Sequence, residues 1–164
     1  LNTGALTKFG DTVLFRLLHK SGLLSRFVSN QEDPEEEIDF SINMTSDVII
    51  EADPSHIYRI INNLVSNALS YTNASGSVKL SLWKEQDTAI LTVADTGQGM
   101  SDEDVQHAFD RFWRKDKSRQ RKDGGGYGLG LAIVQQLVYA NGGEIKLDSE
   151  LGKGTTFQIV FAVC

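Results

Sequence analysis

The chain has 164 residues and one cysteine, Cys164, which is the last of them. That excludes an internal disulfide framework and a cysteine-built metal site, and the fold needs no oxidising compartment. No apolar run approaches the roughly 20 residues that span a bilayer, and no signal peptide is visible. Repeats and low-complexity tracts are missing too. Basic residues are in deficit, 16 against 22 acidic for a net charge of −6, which argues against a general nucleic-acid partner. The chain opens on Leu1 rather than methionine and reads as a piece of a longer protein, although processing would give the same start. What remains is an ordinary globular composition, 40% hydrophobic and 23% charged, at the length of one domain with one core.

Residues 13–28 hold apolar side chains at helical spacing around Gly22, and "NQEDPEEE" reads as an acidic turn. "IDFSIN" and "DVIIEA" alternate as strands do. Asp53-Pro54 opens a helix whose Ile57, Ile60, Ile61, Leu64, Val65, Ala68 and Leu69 form one apolar stripe. "VKLSLW" and "TAILTVAD" predict a hairpin turning at 85–87, "DTGQGM" a loop, and Ser101 or Asp102 the start of a short helix. Residues 114–126 are basic and then glycine-rich, without a period. Leu129 to Ala140 is apolar nearly all round, which predicts a well-buried helix, and "GEIKLDS" with "TTFQIVFAV" predicts a closing hairpin. This order suggests an α/β sandwich with helices on one face of a sheet.

Four places carry chemistry. Asn63, Asn67 and Ser70 share one helix face at the edge of the apolar stripe. The amide oxygens of Asn63 and Asn67 are hard ligands suited to magnesium, although polar helix edges are also common without a ligand. Asp95 has the parity of Leu91 and Val93, so it points to their face of the sheet. A buried carboxylate there needs a donor such as the exocyclic amine of a purine, and a plain turn-starting aspartate is the bland reading. Gly97 and Gly99 follow directly. The loop "RKDKSRQRKD" carries six basic residues against two acidic, a local +4 that leaves −10 for the rest, fit either to close on a polyanion or to stay solvated. In "GGGYGLGLAI", Gly126, Gly128 and Gly130 straddle a helix start, where bare N–H groups favour anions. A hinge would have the same composition. Neither a Rossmann fingerprint nor a P-loop is present. Taken together, the four fit one nucleotide triphosphate.

The same segments resemble bacterial sensor histidine kinases: "NNLVSNALSYT" their N box, "DTGQG" their G1 box, "FDRFWR" their F box, "GGGYGLGLAI" their G2 box and "GKGTTF" the late glycine-rich segment. The resemblance spans residues 53–163 in the family's order. It implies the catalytic ATP-binding domain, an α+β two-layer sandwich shared with Hsp90-type chaperones, type II topoisomerases and MutL. Its sheet would be mixed but mostly antiparallel, covered on one face by about three helices. It also implies ATP and Mg2+ as cofactors, with Asn63 and Asn67 holding the metal and phosphates and Tyr71 lining the pocket. Asp95 would meet the adenine amine, with Gly97 and Gly99 shaping the floor and Thr155 or Thr156 behind the base. Arg111 and Arg114 would approach the phosphates or the acceptor helix. Lys115 and Gly126, Tyr127, Gly128, Leu129 and Gly130 would surround the phosphates. Ser70 stands where the family often has lysine, and Tyr127 where a small hydroxyl residue is usual.

The implied reaction is phosphorylation of a histidine in a separate dimerisation domain, with a response regulator downstream. His19, His56 and His107 lack the His-Glu type motif and read as structural or surface residues. The resemblance further implies a cytoplasmic domain of a membrane-bound sensor, monomeric as a fragment within a homodimeric parent. A serine kinase of the anti-sigma type and a degenerate binding module are the rival readings. A chaperone-type or mismatch-repair ATPase fits less well, because Asn63 occupies the place of its water-activating glutamate.

Overall fold

The structure, a computed structural model, describes residues 6–9, 38–44, 48–113 and 129–163. Its elements run β1 (Leu6–Phe9), β2 (Asp39–Met44), β3 (Val48–Glu51), α1 (Pro54–Tyr71), β4 (Ser77–Glu85), β5 (Thr88–Asp95), α2 (Asp102–His107), α3 (Gly130–Ala140), β6 (Glu144–Glu150) and β7 (Gly154–Ala162). The expected helix over 13–28 and the basic loop lie outside the described residues.

Five strands form one sheet in the order β2-β4-β5-β7-β6. Only β2 and β4 are parallel; the other pairs are antiparallel, so the sheet is mixed and mostly antiparallel, as expected. The two hairpins form as the sequence predicts, β4–β5 around Gln86 and β6–β7 around Gly152. β1 was not legible in the sequence. It pairs antiparallel with β3 in a separate two-stranded ribbon, and Ile50 bridges to Val163 beside the main sheet.

The strands bury alternate positions, so one face of the sheet is apolar. Val78, Leu80 and Leu82 on β4, Ala89, Leu91 and Val93 on β5, and Phe157, Ile159 and Phe161 on β7 fill that face. α1 lies on it, burying Ile57, Ile60, Ile61, Leu64, Val65 and Ala68. Phe109, just after α2, packs edge-on against Phe157 on the same face.

α1 starts where local chemistry dictates. Asp53 caps it, its carboxylate accepting from the Ser55 N–H at 2.8 Å, and Pro54 occupies the first turn. The last turn of α3 is fastened to this same end: Asn141 Oδ1 accepts from the Asp53 N–H at 2.9 Å, while its Nδ2 donates to the Leu137 carbonyl at 2.6 Å. One expectation needs correction. α3 is not buried all round: Ala132, Val134 and Val138 are buried, but Gln136, Tyr139 and Ala140 are exposed. Among the described elements it packs chiefly on α1 and β6.

Candidate functional site

The site is built where the end of α1, the loop after β5 and the β6–β7 turn converge. Tyr71 closes α1, and its carbonyl accepts from the Gln98 N–H at 3.1 Å. The Gln98 carbonyl accepts in turn from the Gly152 N–H at 2.7 Å. Three segments distant in sequence are thereby clasped around Gly97. A Cβ on Gly97 would overlap the Tyr71 carbonyl and stand 2.8 Å from Asp95 Oδ1. Gly99 is buried against the carbonyl of Glu150. Gly154, at φ +117°, lies so close to the Asp95 carbonyl that no side chain fits.

Asp95 ends β5 on the helix-covered face. Its carboxylate is half-buried, and burial pushes its pKa above the ordinary 3.8, against the backbone N–H groups of Gly97 and Thr155, which hold it down. The Gly97 N–H donates to Oδ1 at 2.8 Å. The turn-starting reading of this aspartate is visible directly, and its place on the covered face leaves it able to accept from a ligand. It starts a turn through an i+2 hydrogen bond, and it stands as a desolvated acceptor on the covered face.

Thr155 pairs with Asp95 across β5 and β7, and is buried at 7% exposure. Thr156 pairs with Ala94 and so belongs to the opposite face. Between the two threonines, the structure places Thr155 beside Asp95.

Asn63, Asn67 and Tyr71 follow one another at four-residue intervals, so each step along α1 rises about 6 Å. Asn63 and Asn67 are half-buried flanks of the apolar stripe; Tyr71, nearest the Asp95 corner, is 49% exposed. Ser70 is exposed, and its hydroxyl turns back to the Ser66 carbonyl at 2.8 Å. Leu129 precedes α3 without a side-chain cap, and Gly130, its first residue, is exposed with nothing within 4 Å of where a Cβ would sit. Arg111 is exposed in the turn after α2. Arg114, Lys115, Gly126, Tyr127 and Gly128 lie outside the described residues.

The histidines that fall among the described residues have local partners. His56 Nδ1 lies 3.1 Å from Asn141 Nδ2, and His107 Nδ1 lies 2.7 Å from Asp110 Oδ2 while its ring stacks on Trp113. Sequence reasoning missed Ser149, whose hydroxyl contacts Met100, Gly154 and Thr155. Its parity with Ile145 and Leu147 was readable, but not the strand pairing that sets it beside Thr155. Among the described residues no cluster of His, Cys, Asp or Glu could hold a metal ion. No described helix is long and apolar enough to cross a membrane.

Comparison with known proteins gives the family. The profile of the histidine kinase-, DNA gyrase B- and HSP90-like ATPases matches residues 52–163. The sensor histidine kinase RppB of Synechocystis sp. is 42% identical over 123 residues, covering 74% of this chain and 27% of that protein. WalK of Bacillus subtilis is 42% identical over 125 residues, covering 74% of this chain and 20% of that one. Among solved structures, the mycobacterial sensor histidine kinase MprB superposes with a TM-score of 0.74 at 25% identity, covering 98% of both chains. Full-length ShkA, solved in complex with AMPPNP, superposes at 0.72 with 26% identity, covering 98% of this chain and 32% of that one.

The two-layer sandwich is the fold of the histidine kinase catalytic domains this chain superposes on. The chain belongs to the histidine kinase-, DNA gyrase B- and HSP90-like ATPase family, on its histidine kinase branch. It spans about a quarter or less of the length of the curated relatives named here.

Proposed function

We propose that this domain binds MgATP and presents its γ-phosphoryl group to a histidine on a separate dimerisation domain, with a response regulator as the later recipient. One observation carries the reading: Asp95 is a desolvated acceptor at a corner floored by glycines, and α1 leads away from that corner with its amides in line. A purine amine would meet Asp95 above Gly97 and Gly99, with Thr155 behind it and Tyr71 along the base. The phosphate chain would then run along α1 past Asn67 to Asn63.

The donor set fits magnesium. Mg2+ takes oxygen ligands, keeps several waters and is usually held by one or two protein groups plus phosphates. The amide oxygens of Asn67 and Asn63 would supply that protein share. When bound, the ion neutralises charge on the phosphates. The protein's own part is positioning and electrostatics, the dominant contributions in phosphoryl transfer. The first turn of α3, from Gly130, has N–H groups without intrahelical partners, and an anion would meet them there. Arg114, Lys115, Gly126, Tyr127, Gly128 and Leu129 complete the proposed phosphate surround, and Arg111 the approach to the acceptor. The nucleophile is the imidazole of the incoming histidine, which must arrive neutral.

Asn67→Ala removes the central amide and should abolish Mg-dependent ATP binding in calorimetry while leaving the melting transition in place. Unchanged affinity would refute the metal role. Labelled ATP supplied with a histidine-bearing acceptor domain should give an acid-labile phosphoprotein. An acid-stable product would refute histidine as the acceptor.

A further inference from the structure

Ser149 has no part in the assignments above, yet its hydrogen bonds have a direction that can be counted. Ser149 on β6, Thr155 on β7 and Asp95 on β5 stand side by side in one row across three strands. Ser149 Oγ has three neighbours at 2.9 Å each: the Met100 N–H, the Gly154 carbonyl and Thr155 Oγ1. A serine hydroxyl offers one hydrogen and two lone pairs. The Met100 N–H donates, so it occupies one lone pair. The Gly154 carbonyl can only accept, so it takes the hydrogen. The remaining lone pair faces Thr155, whose hydroxyl must therefore donate to Ser149. With that hydrogen committed, Thr155 has only lone pairs left for any other partner.

We propose that Ser149 is a specificity-determining residue of the nucleotide site. By fixing the Thr155 hydroxyl as an acceptor next to Asp95, it makes the base corner select a purine with a 6-amino group over one with a 6-oxo group. The inference rests on the reading of Asp95 as the base contact. A carboxylate and an acceptor-only hydroxyl both match the N–H groups of an exocyclic amine. Against a 6-oxo purine the O6 sets lone pairs against those of both groups, so the base keeps only its N1–H as a donor and must shift to use it, and a buried acceptor left without a donor is costly. Were Ser149 absent, the Thr155 hydrogen could turn and donate to the oxo group. If Ser149 merely braced the loop at Met100, its loss would weaken all purine nucleotides alike.

The test is calorimetric affinity for ATP and for inosine triphosphate, at fixed magnesium, in the wild type and four variants. Ser149→Ala should narrow the preference for ATP by about tenfold, the scale of one hydrogen bond, chiefly by tightening the inosine nucleotide. Ser149→Thr keeps the hydroxyl and should keep the preference. Thr155→Val removes the hydroxyl itself and should also narrow it; this variant decides the matter if Ser149→Ala does not fold. An unchanged ratio in Ser149→Ala, or in Thr155→Val where that variant decides, overturns the proposal, even if both affinities fall together. Asp95→Asn separates the two levels. If it leaves ATP affinity unaltered, the base-contact reading fails and takes this inference with it. If it weakens ATP while Ser149→Ala keeps the wild-type ratio, only the role of Ser149 is lost.

Discussion

Asp95 links function to stability with opposite signs. Its folded pKa is raised by burial, so the folded chain holds the proton more tightly than the unfolded one. Such a group contributes stability below its unfolded value, near 3.9, and that contribution is lost as pH rises through the folded value. At neutral pH the ionised carboxylate is therefore a cost the fold carries. Asp95→Asn should leave melting at pH 7 unchanged or higher, with the difference from wild type vanishing below about pH 3.9. ATP affinity in the variant should fall at least tenfold, and wild-type affinity should decline as acid protonates the carboxylate. A neutral-pH melting temperature clearly lowered by the substitution would contradict this. The parity of Leu91 and Val93 placed Asp95 on the covered face from sequence alone. The N–H groups of Gly97 and Thr155 that partly satisfy it could not be read there, since one depends on turn geometry and the other on which strand lies alongside.

Among the elements, α1 was the most legible, because its long apolar stripe has one period and its Asp53-Pro54 start has one local solution. α3 was read correctly as a helix and incorrectly as well buried. Composition reports what a helix can bury, whereas its neighbours decide how much of it they cover. β1 was lost because four residues, LTKF, give no usable period and their partner β3 lies far along the chain. The start of α3 supports a sharper prediction. Gly130 is exposed and its added Cβ would touch none of the described residues, so Gly130→Ala should hold or raise stability by about 0.4–1 kcal/mol through the unfolded chain. If phosphate approaches these N–H groups, the same change should weaken MgATP about tenfold. Equal affinity in the two proteins would remove Gly130 from the phosphate surround.

At the scale of the molecule, the described layers share a core: Leu80, Leu91 and Ile159 of the sheet and Ile60, Ile61 and Leu64 of α1 are all fully buried. Leu80→Ala should cost about 2–5 kcal/mol in urea unfolding, and helix and sheet signals should be lost in one shared transition. A separate earlier loss of either would show two cores. The sandwich and both hairpins were legible because each rests on local alternation. Strand order was not, since the insertion of β7 between β5 and β6, and the parallel seat of β2, depend on contacts between distant segments.

The clasp around the base corner has a consequence for inheritance. The Tyr71 and Asp95 carbonyls stand where a methyl on Gly97 or Gly154 would have to go. Every missense change one nucleotide away from a glycine codon adds at least that methyl. A gene drifting by single bases therefore has no productive missense exit from either codon.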